Sequence, residues 1–97
     1  MAKLGLLAHV EAKTGKEDEV QAMLVGALPL ARDEAGTRTW YAFKLGPSSF
    51  GIFDTFDDEA GREAHLNGEI AKALMGKADE LLAKPPQLDK VDVLAAK

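Results

Sequence analysis

Two runs of alternating side chains, Arg38 to Leu45 and Phe50 to Phe56, flank the stretch Gly46-Pro47-Ser48-Ser49. Alternation marks strands, and a connection of about four residues holding Gly and Pro marks a hairpin. Neither face of this hairpin is polar, and that is its main constraint on the fold. One face carries Tyr41, Phe43 and Leu45; the other carries Trp40, Ala42, Phe50, Ile52 and Phe56. A sheet with one solvated face should be polar on that side, so these strands call for cover on both sides. A chain of 97 residues is too short to supply a helical layer to each face. A second copy packed sheet on sheet in a two-fold dimer is the economical expectation. A monomer with a modest exposed patch is the alternative.

The rest of the chain frames the hairpin. Leu4 to Glu11 alternates, with Leu4, Leu6, Ala8 and Val10 on one face, and reads as a strand. Lys16 to Ala35 carries an apolar stripe of Val20, Met23, Leu24, Ala27, Leu28 and Ala31 at helical spacing. Thr14 is the expected N-cap, Pro29 predicts a break near Ala27 to Pro29, and Gly36 is expected as a left-handed stop. After the hairpin, Asp57-Asp58-Glu59 opens a helix running to about Asn67. Gly68 predicts a bend, a second helical piece runs from Glu69 to Ala83, and Pro85-Pro86 ends it. Leu88 to Leu94 is the last strand. The order β-α-β-β-α-β predicts an α+β fold, the ferredoxin-like sandwich of four antiparallel strands with helices on one face. One domain over residues 1–97 is expected.

Composition removes several classes of function. The net charge is −4 and no basic cluster exceeds two residues, which argues against a nucleic-acid footprint. There is no cysteine, hence no disulfide, thiol nucleophile or thiolate metal site. The apolar run LGLLA near the N-terminus is too short for a signal-peptide core, and no segment approaches the ~20 apolar residues of a membrane span. A soluble cytoplasmic protein is the expectation. No EF-hand spacing, Gly-rich phosphate loop, dinucleotide fingerprint or nucleophile elbow occurs. No metal and no cofactor are expected.

Two residues stand out as chemistry. His65 lies near the end of the helix that follows the third strand, and its ordinary pKa of ~6.5 suits proton transfer. Asp54 shares a strand face with Phe50, Ile52 and Phe56, and a carboxylate among apolar side chains must be paired, hydrogen-bonded or functional. If the helix folds back over the strand, Asp54 and His65 approach one another. Otherwise His65 packs or caps, and Asp54 pairs with Arg38, Lys44 or Arg62. Trp40 and Tyr41 line an aromatic pocket or belong to the core. His9, alone on the first strand, reads as a packed residue.

The helix opening GKEDEV, the hairpin TWYAFKLGPSSFGIFDTF and the segment DDEAGREAHL together resemble the antibiotic biosynthesis monooxygenase family, whose small bacterial members go by the name of quinol monooxygenases. The resemblance covers nearly the whole chain. Its most telling part is Asp54, Phe56 and His65: an acidic residue and an aromatic closing the third strand, then a histidine. It implies a dimeric α+β barrel with a pocket between sheet and helices in each protomer. It also implies oxidation of a small phenol or quinol by O₂ without flavin, haem or metal. Under it, His65 would deprotonate or bind the phenol hydroxyl and Asp54 would orient His65 or stabilise its cation. Trp40, Tyr41, Phe43 and Phe56 would supply aromatic walls. The chain departs from many relatives in having Asp54 and Phe56 in place of Glu and Trp, and Ile70 in place of a second histidine. Met75 replaces the histidine of haem-degrading relatives, and the first strand lacks their asparagine, which sets haem degradation aside. The other function open to this fold is a non-catalytic dimeric small-ligand-binding or stress-related protein.

Overall fold

A computed structural model of the chain describes residues 2–97. Its elements run β1 (Leu4–Glu11), α1 (Glu17–Gly26), α2 (Leu28–Asp33), β2 (Thr37–Lys44), β3 (Ser49–Phe56), α3 (Glu59–Leu66), α4 (Glu69–Leu81) and β4 (Gln87–Asp92). The strands form one antiparallel sheet in the order β2-β3-β1-β4. This is the ferredoxin-like α+β arrangement expected from the element order, with each helical crossover divided into two pieces.

Both divisions have local causes. Pro29 lacks a backbone donor and sits in the first turn of α2, so the helical stretch breaks at Ala27 as the sequence predicts. Gly68 caps α4 in extended conformation, and α3 ends at Leu66 before it. Asp58 starts α3 by accepting a hydrogen bond from the Gly61 amide at 2.9 Å.

Two expected helix signals resolve differently. Thr14 is not the cap of α1; the cap position is Lys16, without a side-chain bond. Gly15, at φ 87°, turns the chain through the left-handed region just before it, and its amide donates to Glu17 Oε1 at 2.9 Å. Gly36 is not a left-handed stop either, because α2 ends on the extended residue Glu34. A Cβ on Gly36 would lie 2.9 Å from Gly61 Cα, so this glycine lets the loop before β2 press against the start of α3. That contact brings the end of α2 beside α3.

The helices cover one face of the sheet. Ala8 and Val10 of β1 and Phe50 and Ile52 of β3 are buried there in one cluster with Val20, Leu24, Leu74 and Leu81, and Leu6 and Phe56 are buried on the same face. Among the described residues, none covers the outer face. Leu7, Phe53 and Tyr41 form one row across it through the strand register, with Tyr41 59 % exposed and Leu7 37 %. The Phe43 ring lies over Gly51, where an added Cβ would sit 2.4 Å from Phe43 Cζ. Among the described residues, no helix is long and apolar enough to cross a membrane.

Candidate functional site

Strand alternation turns Asp54 inward, between Ile52 and Phe56 and opposite Leu6 on one neighbour and Trp40 on the other. Its side chain is 1 % exposed. Helix α3 crosses the end of β3 and, with i,i+3 spacing, buries both Arg62 and His65. The two side chains then diverge. Arg62 reaches the strands through Nη1, donating to the carbonyls of Gly5 at 3.1 Å and Val91 at 3.4 Å, and pairs with Glu59 at 2.7 Å. His65 lies over Asp54, with Nε2 2.9 Å from Oδ2, and its ring centroid is 5.4 Å from that of Phe56. The Nε2–Oδ2 contact is close in distance but not aligned as a hydrogen bond, so it acts chiefly through charge.

The other ring nitrogen meets a residue that the sequence did not single out. Nδ1 of His65 lies 2.6 Å from Glu34 Oε1. The same oxygen accepts from the Thr37 hydroxyl at 2.7 Å. Gly68 closes the far side, since a Cβ there would stand 3.2 Å from Glu34 Oε2. One imidazole is thus held between two carboxyl groups, one from the end of α2 and one from β3. Burial by itself pulls the imidazole pKa down. Asp54 and then Glu34, by contact and by charge, outweigh it and raise the value to about 9. At neutral pH His65 is an imidazolium with a carboxyl oxygen beside each ring nitrogen, hydrogen-bonded at Nδ1 and in charge contact at Nε2.

That arrangement limits what each group can do. A doubly protonated ring has no lone pair for a substrate proton. Both oxygens of Asp54 are buried without a hydrogen-bond partner among the described residues, and Oδ1 is the one that His65 does not approach. Asp54 and His65 both line a cavity of about 40 Å³ whose other walls are aliphatic, among them Leu6, Ala8, Ile52, Ile70 and Leu74. Met75 and Leu88 stand at its rim, 58 % and 46 % exposed. By contrast, a cavity of about 150 Å³ is what admits a benzene ring. A ring enters here only if those two rim side chains move, and Met75 is of the flexible kind that can.

The residues expected as aromatic walls disperse. Tyr41 and Phe43 point to the outer face, on the opposite side of the sheet from His65, because they alternate with Trp40 and Ala42. Trp40 faces the helices and packs against the buried group of Ala27, Ala31 and Ile70, with its indole N–H buried and without a partner among the described residues. Phe56 is fully buried against His65 but does not line the cavity. The alternative partners of Asp54 are engaged elsewhere. Arg38 pairs with Asp57, Arg62 with Glu59, and Lys44 lies over the Phe50 ring. Among the described residues no group of three or more His, Asp or Glu is placed to hold a metal ion.

Glu34 left a faint trace in the sequence. It precedes Thr37, the residue that starts β2, and Thr37 pairs with Phe56 at the end of β3. That register puts the start of β2 near the end of β3, but it does not by itself distinguish Glu34 from Asp33.

No protein-family model matches the chain, and no curated protein matches it. Solved structures do. The chain is 57 % identical to NE2512, a Nitrosomonas europaea protein of unknown function, over 100 % of this chain and 94 % of that one, with a TM-score of 0.98. A second Nitrosomonas europaea protein, provisionally described as an antibiotic biosynthesis monooxygenase, is 13 % identical with a TM-score of 0.84, over 95 % of this chain and 99 % of that one. Another structure described as an antibiotic biosynthesis monooxygenase is 17 % identical with a TM-score of 0.81, over 95 % and 99 % of the two chains. At such low identity the last two speak for the fold.

Proposed function

The chain belongs to one family with the Nitrosomonas europaea protein NE2512, and from there we propose that it is a cofactor-independent monooxygenase of a small phenol or quinol. The observation that carries this reading is the buried Asp54 carboxylate, unpartnered at Oδ1, facing an otherwise apolar cavity with His65 behind it. An electron-rich phenol becomes a reductant for O₂ once its hydroxyl proton is taken in a water-poor site. Oδ1 of Asp54 accepts that proton, and the His65 cation, held by Glu34, steadies the negative charge nearby. A phenol and O₂ then give a quinone and water: one oxygen atom forms the new ring carbonyl and the other leaves as water. The four electrons that reduce O₂ all come from the ring. In this scheme His65 is the electrostatic partner and Asp54 the base.

The uncovered outer face supports a two-fold dimer, sheet on sheet, through the row of Leu7, Phe53 and Tyr41. A solution mass of one chain at micromolar concentration would remove the dimer.

Oxygen uptake over a panel of hydroquinones and phenols, on metal-stripped protein, tests the activity. Uptake by the wild type is expected to exceed that of Asp54→Asn by about 100-fold, the usual scale for a lost general base. Equal rates across the panel would sink the reading. A second reading, small-ligand binding without turnover, is favoured by the 40 Å³ size of the cavity. A ligand that raises the melting temperature and is never consumed would support it.

A further inference from the structure

Resting on the reading that a small aromatic enters this cavity, we propose that the site selects its ligand by hydrogen-bond polarity. It takes the hydroxyl-bearing, reduced form, which donates to Asp54 Oδ1, and turns away acceptor-only and anionic analogues of the same shape.

The argument starts from what the cavity offers. Among its lining residues only Asp54 and His65 are ionisable; the remainder are Leu, Ile, Ala and Met. Nδ1 of His65 is taken up by Glu34 and Nε2 lies 2.9 Å from Asp54 Oδ2, so each ring nitrogen already faces a carboxyl oxygen. Asp54 Oδ1 has capacity to accept and, among the described residues, nothing to accept from, at 1 % exposure. A ligand that donates supplies the missing partner. A ligand that presents only an acceptor leaves Oδ1 unpaired and adds a second unpaired atom against it, which is the arrangement that discriminates most strongly in a buried site. An anionic ligand would add a third carboxyl group to a cluster that already holds two around one imidazolium.

This polarity bears on turnover. Oxidation turns the hydroxyl at this position into a carbonyl, and once the proton taken by Asp54 has left in the water formed from O₂, the atom that accepted a hydrogen bond faces another acceptor. The product loses the contact that held the substrate, so recognition and release follow from one carboxylate.

Three probes separate the outcomes: phenol, fluorobenzene as a near-isostere without a donor, and benzoate as an anion. Binding is read by melting temperature and by NMR titration. Phenol is expected to bind about tenfold or more tighter than fluorobenzene, with benzoate weaker still. In Asp54→Asn, which can turn its amide to give or to accept, the ratio of phenol to fluorobenzene should fall to about threefold or less. Should that variant fail to fold, the wild type decides alone. The chain holds two histidines, so the ring signals of His65 can be followed beside those of His9. Phenol must shift the His65 Nε2 signal and the Asp54 carboxyl carbon. Fluorobenzene binding as tightly as phenol, phenol leaving both signals unmoved, or no binding by any probe would overturn the proposal. Selective phenol binding without oxygen uptake on the quinol panel would instead overturn the oxidation reading and leave the recognition intact.

Discussion

The two faces of the sheet solve opposite problems. The helix face is fully covered, yet it contains Asp54, His65 and, at its margin, Glu34. The outer face is open, yet it displays Tyr41, Phe43, Phe53 and Leu7. Folding alone favours the reverse, with apolar rings inside and charge in water. Burying an ion pair is often worse for stability than apolar packing of the same volume. A domain of 97 residues has a small core in which to absorb that cost. The inner cluster therefore carries a cost in stability that packing does not explain, and the outer rings make a surface of the kind the proposed dimer would bury. The experiments below test that contrast, from the largest effect to the smallest.

Removing the cation that two carboxyl groups share should do the most. His65→Ala leaves Asp54 and Glu34 facing one another without their partner. Loss of one member of a buried pair costs about 3–5 kcal/mol. Urea unfolding measures it. A loss below about 1 kcal/mol would mean that the inner cluster is hydrated like a surface pair, and the contrast between faces would fail.

The pH dependence of stability follows next. The folded-state pKa of His65 is raised from 6.5 to about 9. The folded state therefore holds this proton more tightly than the unfolded chain does. The stabilisation is complete below about pH 6.5, declines as the pH rises, and is gone above about pH 9. At about 1.36 kcal/mol for each unit, the whole effect is roughly 3 kcal/mol. Denaturant midpoints taken across that window should fall in the wild type and flatten in Glu34→Gln, where one of the two raising groups is gone. A wild-type midpoint that rises with pH across this window would contradict the assigned charge state.

Gly51→Ala probes the outer face. A methyl there meets the Phe43 ring, at 2.4 Å from Cζ, and the Ala8 carbonyl at 3.2 Å. The ring end can swing away, while the strand backbone cannot, so a cost of about 1–3 kcal/mol is expected from overpacking. Thermal unfolding reads it. The displaced ring should also disturb whatever packs on this face, so the apparent mass in sedimentation should drop along with stability if the face is paired.

The contrast between faces was already present in the alternation of Trp40, Tyr41, Ala42 and Phe43, and so was the inward position of Asp54. Period-two patterning is a local property that a single chain states openly. The partner of Asp54 was half legible: His65 sits one short helix beyond the strand, and only the folding back of α3 remained to be assumed. Glu34 was not legible as a site residue. Its placement depends on the close approach of Gly36 and Gly61, a tertiary contact between two glycines that carry no pattern of their own. The same contact explains why Gly36, which resembles a helix stop, serves a different purpose. The rim of the cavity was hidden for a related reason. Met75 of α4 and Leu88, which pairs with Ala8 across β1 and β4, come to one cavity only through tertiary packing.

Tyr41→Ser is expected to have the smallest effect in an isolated chain. At 59 % exposure the ring already contacts solvent, and a substitution of this kind changes stability by roughly 0.5 kcal/mol or less. That small number is useful because it depends on the assembly. If the outer face is paired, Tyr41 lies in the interface, and truncating it weakens the dimer in addition to the fold. Unfolding midpoints should then depend on protein concentration in the wild type and much less so in the variant. Measurements at two concentrations about a hundredfold apart separate the cases. A wild-type midpoint that does not move between them, together with an unchanged midpoint in Tyr41→Ser, would mean that the outer rings serve no partner. The asymmetry of the sheet would then rest on the inner cluster alone.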